Sequence, residues 1–365
     1  MIIGSILKKL YIKRIGAKWR IKGVGAELLA STFLNDYKQH KFSFTYIHKV
    51  HKYGYSIDDW RFLGLNKENY KEFLSTVQYY KMHPINGLHS KWIDDKVTLK
   101  YLCHGTAMQE YMPKYYYEIN EKGNVIPLMD CPQGDRTVQS IINTLKDKEI
   151  LAIKLIAGSI GEGFIKAEFI NGKYFLNGQE FCEAELIEKI KSLRNYLITE
   201  YLHPHKDLAK FCPNTCNTIR YLIGRMSDGT VKMLKSFIRF GTIKSGFVEN
   251  YNAGGVLCYI DGKGAFNGGN AVDLTTRLNI KITEHPDTNE KLSGKIPFWD
   301  KIVESAKILG EIFPQMQYLG VDYVITDKEQ VKIIEINSLS SLDALQLDGS
   351  IFASSAGDFY KSKLH

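Results

Sequence analysis

The sequence predicts an α+β protein of two or three subdomains around a shared cleft, with a largely helical first quarter. Three observations carry that expectation. Residues 27–93 show helical periodicity with interleaved aromatic residues and charges (Phe33, Tyr37, Trp60, Tyr70, Phe73, Tyr79). Beyond them, strand-like runs rich in Val, Ile, Tyr and Phe arrive in pairs around short turns. The 365 residues are long for a single compact domain.

In chain order, the first 22 residues hold Lys8, Lys9, Lys13, Arg14, Lys18, Arg20 and Lys22 with no acid, while Ile3, Ile6, Leu7 and Leu10 repeat at helical spacing. Such a segment is either a basic amphipathic helix on an anionic membrane or a solvated helix with one docked stripe. Asp94 and Asp95 before Lys96-Val-Thr-Leu-Lys-Tyr-Leu suit a helix start, since acids favour the positive end of the helix dipole. A strand follows at KYYYEI, a turn at Lys122-Gly123-Asn124 and a helix from Thr137 to about Lys146. ILAIKLIAGSIGEGFIKAEFING reads as strand, glycine-rich turn and strand. Because Gly158-Ser159-Ile160-Gly161-Glu162-Gly163 lacks GK[ST] and runs into a strand, it is neither a Walker loop nor a dinucleotide fingerprint. It is an ordinary flexible turn, or a turn whose N–H groups approach phosphate oxygens beside Lys154.

Residues 196–202 form another apolar strand, interrupted by Glu200. Along MLKSFIRF, alternation places Lys235, Phe237 and Arg239 on one face, either solvated or turned toward a site. The stretch LGVDYVITDKEQVKIIEIN reads as two strands, Gly320–Ile325 and Val331–Asn337. A two-residue turn at Lys328-Glu329 would pair Thr326 with Val331, Val324 with Ile333 and Asp322 with Glu335. Two acids roughly 5 Å apart at Cβ repel unless something intervenes. A cation held by Asp322, Glu335 and Asn337 would resolve the conflict, since oxygen donors suit Mg2+. So would a shared proton or a nearby Lys or Arg.

The net charge of +8 favours acidic partners without choosing among them. The six cysteines, with no CxxC spacing, are expected to be reduced and mostly structural. Neither a bilayer-spanning apolar run nor a cleavable leader is evident, so the cytoplasm is the expected location, with the inner membrane face open to the basic N-terminus. No nucleic-acid signature is present.

Lys96, Lys154 with its glycine turn, the Glu200-Tyr201-Leu202 strand end, the cationic strand and the Asp322…Glu335-x-Asn337 hairpin together resemble the ATP-grasp superfamily in content and order. The NTIR, GG and HPDT stretches look most like its sugar-transfer-associated members. The resemblance covers roughly residues 45–345. It implies an ATP-grasp fold, with residues 1–93 as the N-terminal region, 94–202 as the nucleotide or lid subdomain and 203–365 as the core subdomain. It further implies that Lys96 and Lys154 contact ATP, and that Gly158, Ser159, Gly161 and Gly163 close over its phosphates. Glu200, Tyr201 and Leu202 would hold adenine and Asp207 the ribose, while Asp322, Glu335 and Asn337 would hold Mg2+. Several ATP-grasp ligases carry an Arg where this chain has Gly320, so Arg220, Lys235 or Arg239 must supply the catalytic cation. The implied activity is a carboxylate-amine ligase working through an acyl phosphate, on a sugar carboxylate or other anionic substrate and an amine. Alternatives are a phosphotransferase acting on a hydroxyl, or a non-catalytic nucleotide-binding module.

Overall fold

The computed structural model describes residues 2–132, 134–158, 163–246, 248–354 and 356–364, with side chains from residue 6 onward. Ser159 and Gly161 therefore lie outside the described residues. The helical first quarter is as expected: Ile2–Trp19, Gly23–Gln39, Phe44–Tyr53, Ile57–Phe62 and Thr76–Met82 are α-helices. Ser43, Ser56 and Ser75 start the last three by accepting from backbone N–H groups that the first turn leaves unpaired. Gln78 returns a bond to Ser75, completing a capping box.

Two seven-stranded antiparallel sheets follow. The first contains β1 (Tyr115–Ile119), β2 (Val125–Pro127), β3 (Ile150–Leu155), β4 (Ile165–Ile170), β5 (Lys173–Leu176), β6 (Gln179–Phe181) and β7 (Tyr196–Glu200), in the order β2-β1-β7-β3-β4-β5-β6. Helices Val138–Lys148 and Glu183–Ser192 cover one face through Ile141, Leu145, Leu186 and Ile190. The second sheet is built from β8 (Ile219–Arg225), β9 (Val231–Phe240), β10 (Val256–Tyr259), β12 (Gly269–Val272), β13 (Asn279–Ile282), β15 (Tyr318–Ile325) and β16 (Val331–Asn337). Its order is β13-β12-β10-β9-β8-β15-β16, and the short β11 (Ala265–Asn267) and β14 (Ser293–Lys295) pair separately.

Alternation along β8 and β15 decides what each face of this second sheet does. Ile219, Tyr221, Ile223, Leu319, Val321, Tyr323 and Ile325 enter the largest apolar cluster, under helix Trp299–Ile312. Arg220, Leu222, Tyr318 and Asp322 fall on the opposite face. There Leu222 and Tyr318 pack with Phe359 and Tyr360 of helix Gly357–Lys363, and Arg220 and Asp322 lie beyond that packing. One face is therefore half core and half site.

Residues 94–112 do not pack on the first sheet alone: Val97 lies against Tyr115, Ile156 and Leu197, while Leu99, Cys103, Met108, Tyr111 and Met112 are buried in the second sheet's cluster. Nor is the helical first quarter a separate layer. Asn86 accepts from the amides of Gln317 and Tyr318 at 2.8 and 2.9 Å and donates to the Tyr318 carbonyl at 2.6 Å. Leu74 exchanges two hydrogen bonds with the Gln346 side chain.

Candidate functional site

A cavity of about 270 Å3 opens between the sheets. The first sheet and the segment after it line it with Lys154, Gly158, Thr199 and Glu200 to Leu202; the second contributes Thr218, Arg220, Arg239, Asp322, Glu335 and Asn337. Eleven of the residues singled out in the sequence meet at this one place, although their sequence positions span more than half the chain. They are Lys96, Lys154, Gly158, Glu200, Tyr201, Leu202, Arg220, Arg239, Asp322, Glu335 and Asn337; Gly163 is not on the walls but lies beside Leu155, which is.

The hairpin reaches its geometry by a route that differs from the expected one. Asp327, Lys328 and Glu329 form a three-residue loop closed by Thr326 and Gln330, with Glu329 left-handed at φ 59°. This pairs Ile325 with Val331 and Tyr323 with Ile333, one residue out of the expected register. A bulge at Ile334 restores it, so Asp322 does lie opposite Glu335, and Gly320 opposite Asn337. Because the bulge adds a residue, Ile334 and Glu335 both reach the cavity.

The acid pair is already partly relieved by cations. Arg220 binds Asp322 with two parallel bonds, Nε to Oδ1 at 2.5 Å and Nη2 to Oδ2 at 2.7 Å, and Arg239 Nη2 lies 3.0 Å from Oδ1. Burial alone would push the Asp322 carboxyl up, but these two guanidinium groups hold it below the usual carboxylate range. Lys96 Nζ approaches Glu335 at 3.5 Å. Lys96 stands at the first position of helix Lys96–Cys103, capped by Asp95, where the helix dipole disfavours a cation. The carbonyls of Ile156 and Gly158, at 3.4 and 3.2 Å, and Glu335 hold it there.

The Gly320 departure has a structural cause. A Cβ at position 320 would collide with Ser340 Oγ, the hydroxyl that accepts from Arg220 Nη1 at 3.0 Å. Ser340 is fixed in turn by Tyr79, whose hydroxyl donates to the Ser340 carbonyl and accepts from its N–H at 3.1 Å. Glycine at 320 therefore makes room for the group that orients Arg220.

Two expected residues lie elsewhere. Lys235 shares a face with Arg239 but sits at its far end, where Nζ meets both oxygens of Asp348 at 2.7 Å and lies over the Tyr259 ring. Unlike Arg220 and Arg239, it does not line the cavity. Asp207 is outside the cavity, with its side chain 62% exposed beside His205. Glu200 lines the cavity, yet its carboxylate also accepts from the Lys114 N–H at 2.8 Å, which joins it to the start of β1.

Glu249 and Thr218 were not anticipated. Glu249 accepts from the Asn217 N–H at 2.7 Å and the Thr218 hydroxyl at 3.0 Å, and burial raises its pKa against the opposing Arg239. Thr218 Oγ1 also accepts from Arg239 Nη2 at 2.7 Å. The only sequence signal was the polar pair Asn217-Thr218 just before Arg220 in an otherwise apolar strand. Cys216 lines the cavity too, but burial pushes its thiol up to about 12, so it offers no thiolate nucleophile.

Lys154 Nζ lies 5.8 Å from the Tyr115 ring centroid. Burial first, and then neighbouring Lys96, bring its pKa down to about 8. An anion beside Nζ favours the charged form and raises that pKa, so nucleotide binding near pH 8 is expected to take up protons. Calorimetry in two buffers of different ionisation enthalpy checks this. Lys154→Met should abolish most of the uptake, and equal uptake in the variant would remove Lys154 from the site.

The family model described as "Sugar-transfer associated ATP-grasp" matches residues 77–355. A comparison with curated proteins finds no match. Among solved structures, the chain is similar to D-alanyl-alanine synthetase A from Vibrio cholerae, at 11% identity and a TM-score of 0.38, over 77% of this chain and 62% of that one. It is also similar to L-amino acid ligase from Bacillus licheniformis, at 9% identity and a TM-score of 0.38, over 74% and 46% respectively. A third is an ADP complex of N5-carboxyaminoimidazole ribonucleotide synthetase, at 10% identity and a TM-score of 0.38, over 69% and 46%. The chain spans about half to three fifths of the length of these proteins.

Proposed function

The chain belongs to the sugar-transfer-associated ATP-grasp family, and from that membership we propose that it is an ATP- and Mg2+-dependent carboxylate-amine ligase. The observation that carries this reading is the convergence of Lys96, Lys154, Arg220 and Arg239 on one cavity that also holds Asp322 and Glu335. Phosphoryl transfer asks a protein mainly for positioning and for neutralisation of phosphate charge, and this cavity is built from those means. In the proposed reaction a substrate carboxylate oxygen attacks the γ-phosphorus and ADP leaves. An amine then attacks the acyl carbon, and phosphate departs as the amide forms. Neither step needs a protein nucleophile, in keeping with the protonated Cys216 thiol.

The donor set fits a magnesium ion. Two hydrogen bonds reach Asp322 Oδ1 but one reaches Oδ2, leaving an acceptor position. Among the described residues Glu335 makes one charged contact, 3.5 Å to Lys96, and Asn337 lines the same cavity, where its amide oxygen would be the third donor. Bound there, Mg2+ would neutralise phosphate oxygens as a Lewis acid. Arg239 Nε is buried with no partner among the described residues, a donor left for an anionic substrate, while Nη2 stays on Thr218 and Asp322. Arg220, locked by Asp322 and Ser340, is the fixed cation. A sugar acid as carboxylate donor, in glycan assembly, is supported by the family description.

The test is ATP turnover with Mg2+ in the presence of pooled sugar acids and amino acids. The expected products are ADP, phosphate and a species with the summed mass of acid and amine minus water. ADP with a stable phosphorylated product would assign a phosphotransferase instead, and ADP with neither would overturn the ligase.

A further inference from the structure

Residues 1–52 carry eleven Lys and Arg against two acids, so the net charge of +8 resides wholly in this segment and the other residues are close to neutral. One of the two acids, Asp36, is buried and bound by His51 at 2.8 Å. Helix Ile2–Trp19 is the cationic edge of this region.

That helix has two apolar sides. At 100° per residue, Tyr11, Ile12, Ile15 and Trp19 fall on one side, where they dock on Leu29, Phe33 and Val77. Ile6, Leu7 and Leu10 fall on the other, and they are 52, 61 and 56% exposed. Lys9 and Lys13 border this outer stripe on one flank and Lys18 on the other, Arg14 continues its line one turn further along, and all four are exposed. Burial first, and then the neighbouring cations Lys52 and Arg14, lower the pKa of Lys18. A surface helix that merely docks turns a polar face outward. This one turns outward an apolar stripe edged by cations, the pattern of a helix lying in a bilayer interface.

We propose that helix Ile2–Trp19 is a docking surface for an anionic lipid bilayer. Ile6, Leu7 and Leu10 enter the headgroup boundary, and Lys9, Lys13, Arg14 and Lys18 meet lipid phosphates. Among the described residues no helix is long and apolar enough to cross a membrane. Nucleic acid would satisfy the cations but leave the apolar stripe in water. The proposal is independent of the ligase reading.

The test is co-sedimentation of the full chain with vesicles of phosphatidylcholine alone, or with about one third phosphatidylglycerol, at low and moderate salt. Binding is expected only to the anionic vesicles. Lys13→Gln with Arg14→Gln should weaken it about thirtyfold, at about 1 kcal/mol per cation. Leu7→Ser with Leu10→Ser, which keeps every charge, should weaken it by about tenfold or more. All four side chains are exposed, so circular dichroism should be unchanged. Absence of binding to anionic vesicles at low salt would overturn the proposal. So would full binding by the serine variant, and such binding together with equal affinity for duplex DNA would assign a general polyanion surface instead.

Discussion

Glu335→Gln is expected to lower ATP turnover by at least about 100-fold, the loss of the several kcal/mol that a well-held metal ion supplies to phosphoryl transfer. The substitution keeps the shape of the side chain and removes the charge that the bulge at Ile334 delivers into the cavity. Stability should change little, because among the described residues that carboxylate's one ion-pair contact is with Lys96 at 3.5 Å, worth no more than about 1 kcal/mol. Steady-state turnover and thermal unfolding, compared with Glu329→Gln in the loop of the same hairpin, separate the two effects. Near-full activity in Glu335→Gln would sink the metal assignment.

At Asp322 a loss of stability is expected as well. Asp322→Ala should destabilise the fold by about 3–5 kcal/mol, the usual result of stripping one partner from a buried ion pair, because Arg220 would keep its charge and lose its counter-ion. The shift should appear in the urea midpoint at pH 7. Its pH dependence follows from the lowered pKa of the folded carboxyl. A depressed carboxylate contributes stability that is present above its unfolded value of about 3.9 and is lost as pH falls through its folded value. The difference between the natural protein and Asp322→Ala should therefore hold from neutral pH to about pH 4 and shrink below it. A difference under about 1 kcal/mol at pH 7 would mean that the Arg220 pair does not support the fold.

These two residues also show how much the sequence reveals. Their pairing is legible, but a two-residue turn was expected where three residues bend, and the bulge that compensates leaves no mark in the sequence. Ile334 is neither glycine nor polar, yet the register shifts there by one residue. That cations relieve the acid pair was open from the sequence, but their identities were not. Arg220 is 102 residues from Asp322 in the chain, and only the order β8-β15 sets them opposite each other. Lys235 and Arg239 are indistinguishable by alternation, and what separates them is Asp348, 113 residues from Lys235. The helical first quarter, by contrast, was legible because capping serines and apolar periodicity act over a few residues.

The Tyr79–Ser340 contact bears on the time at which the site comes into being. Tyr79 and Ser340 are 261 residues apart, and the neighbouring Asn86–Tyr318 and Leu74–Gln346 bonds span 232 and 272. Contacts this remote in sequence form slowly, because closing a long loop comes before any reward from the contact. During synthesis the early helices must therefore wait, with Tyr79 and Asn86 unpaired, until β15 and β16 have been made. Arg220 acquires its fixed orientation only at that late stage, so an unfinished chain would hold the cations of the cavity without the geometry that makes them a site.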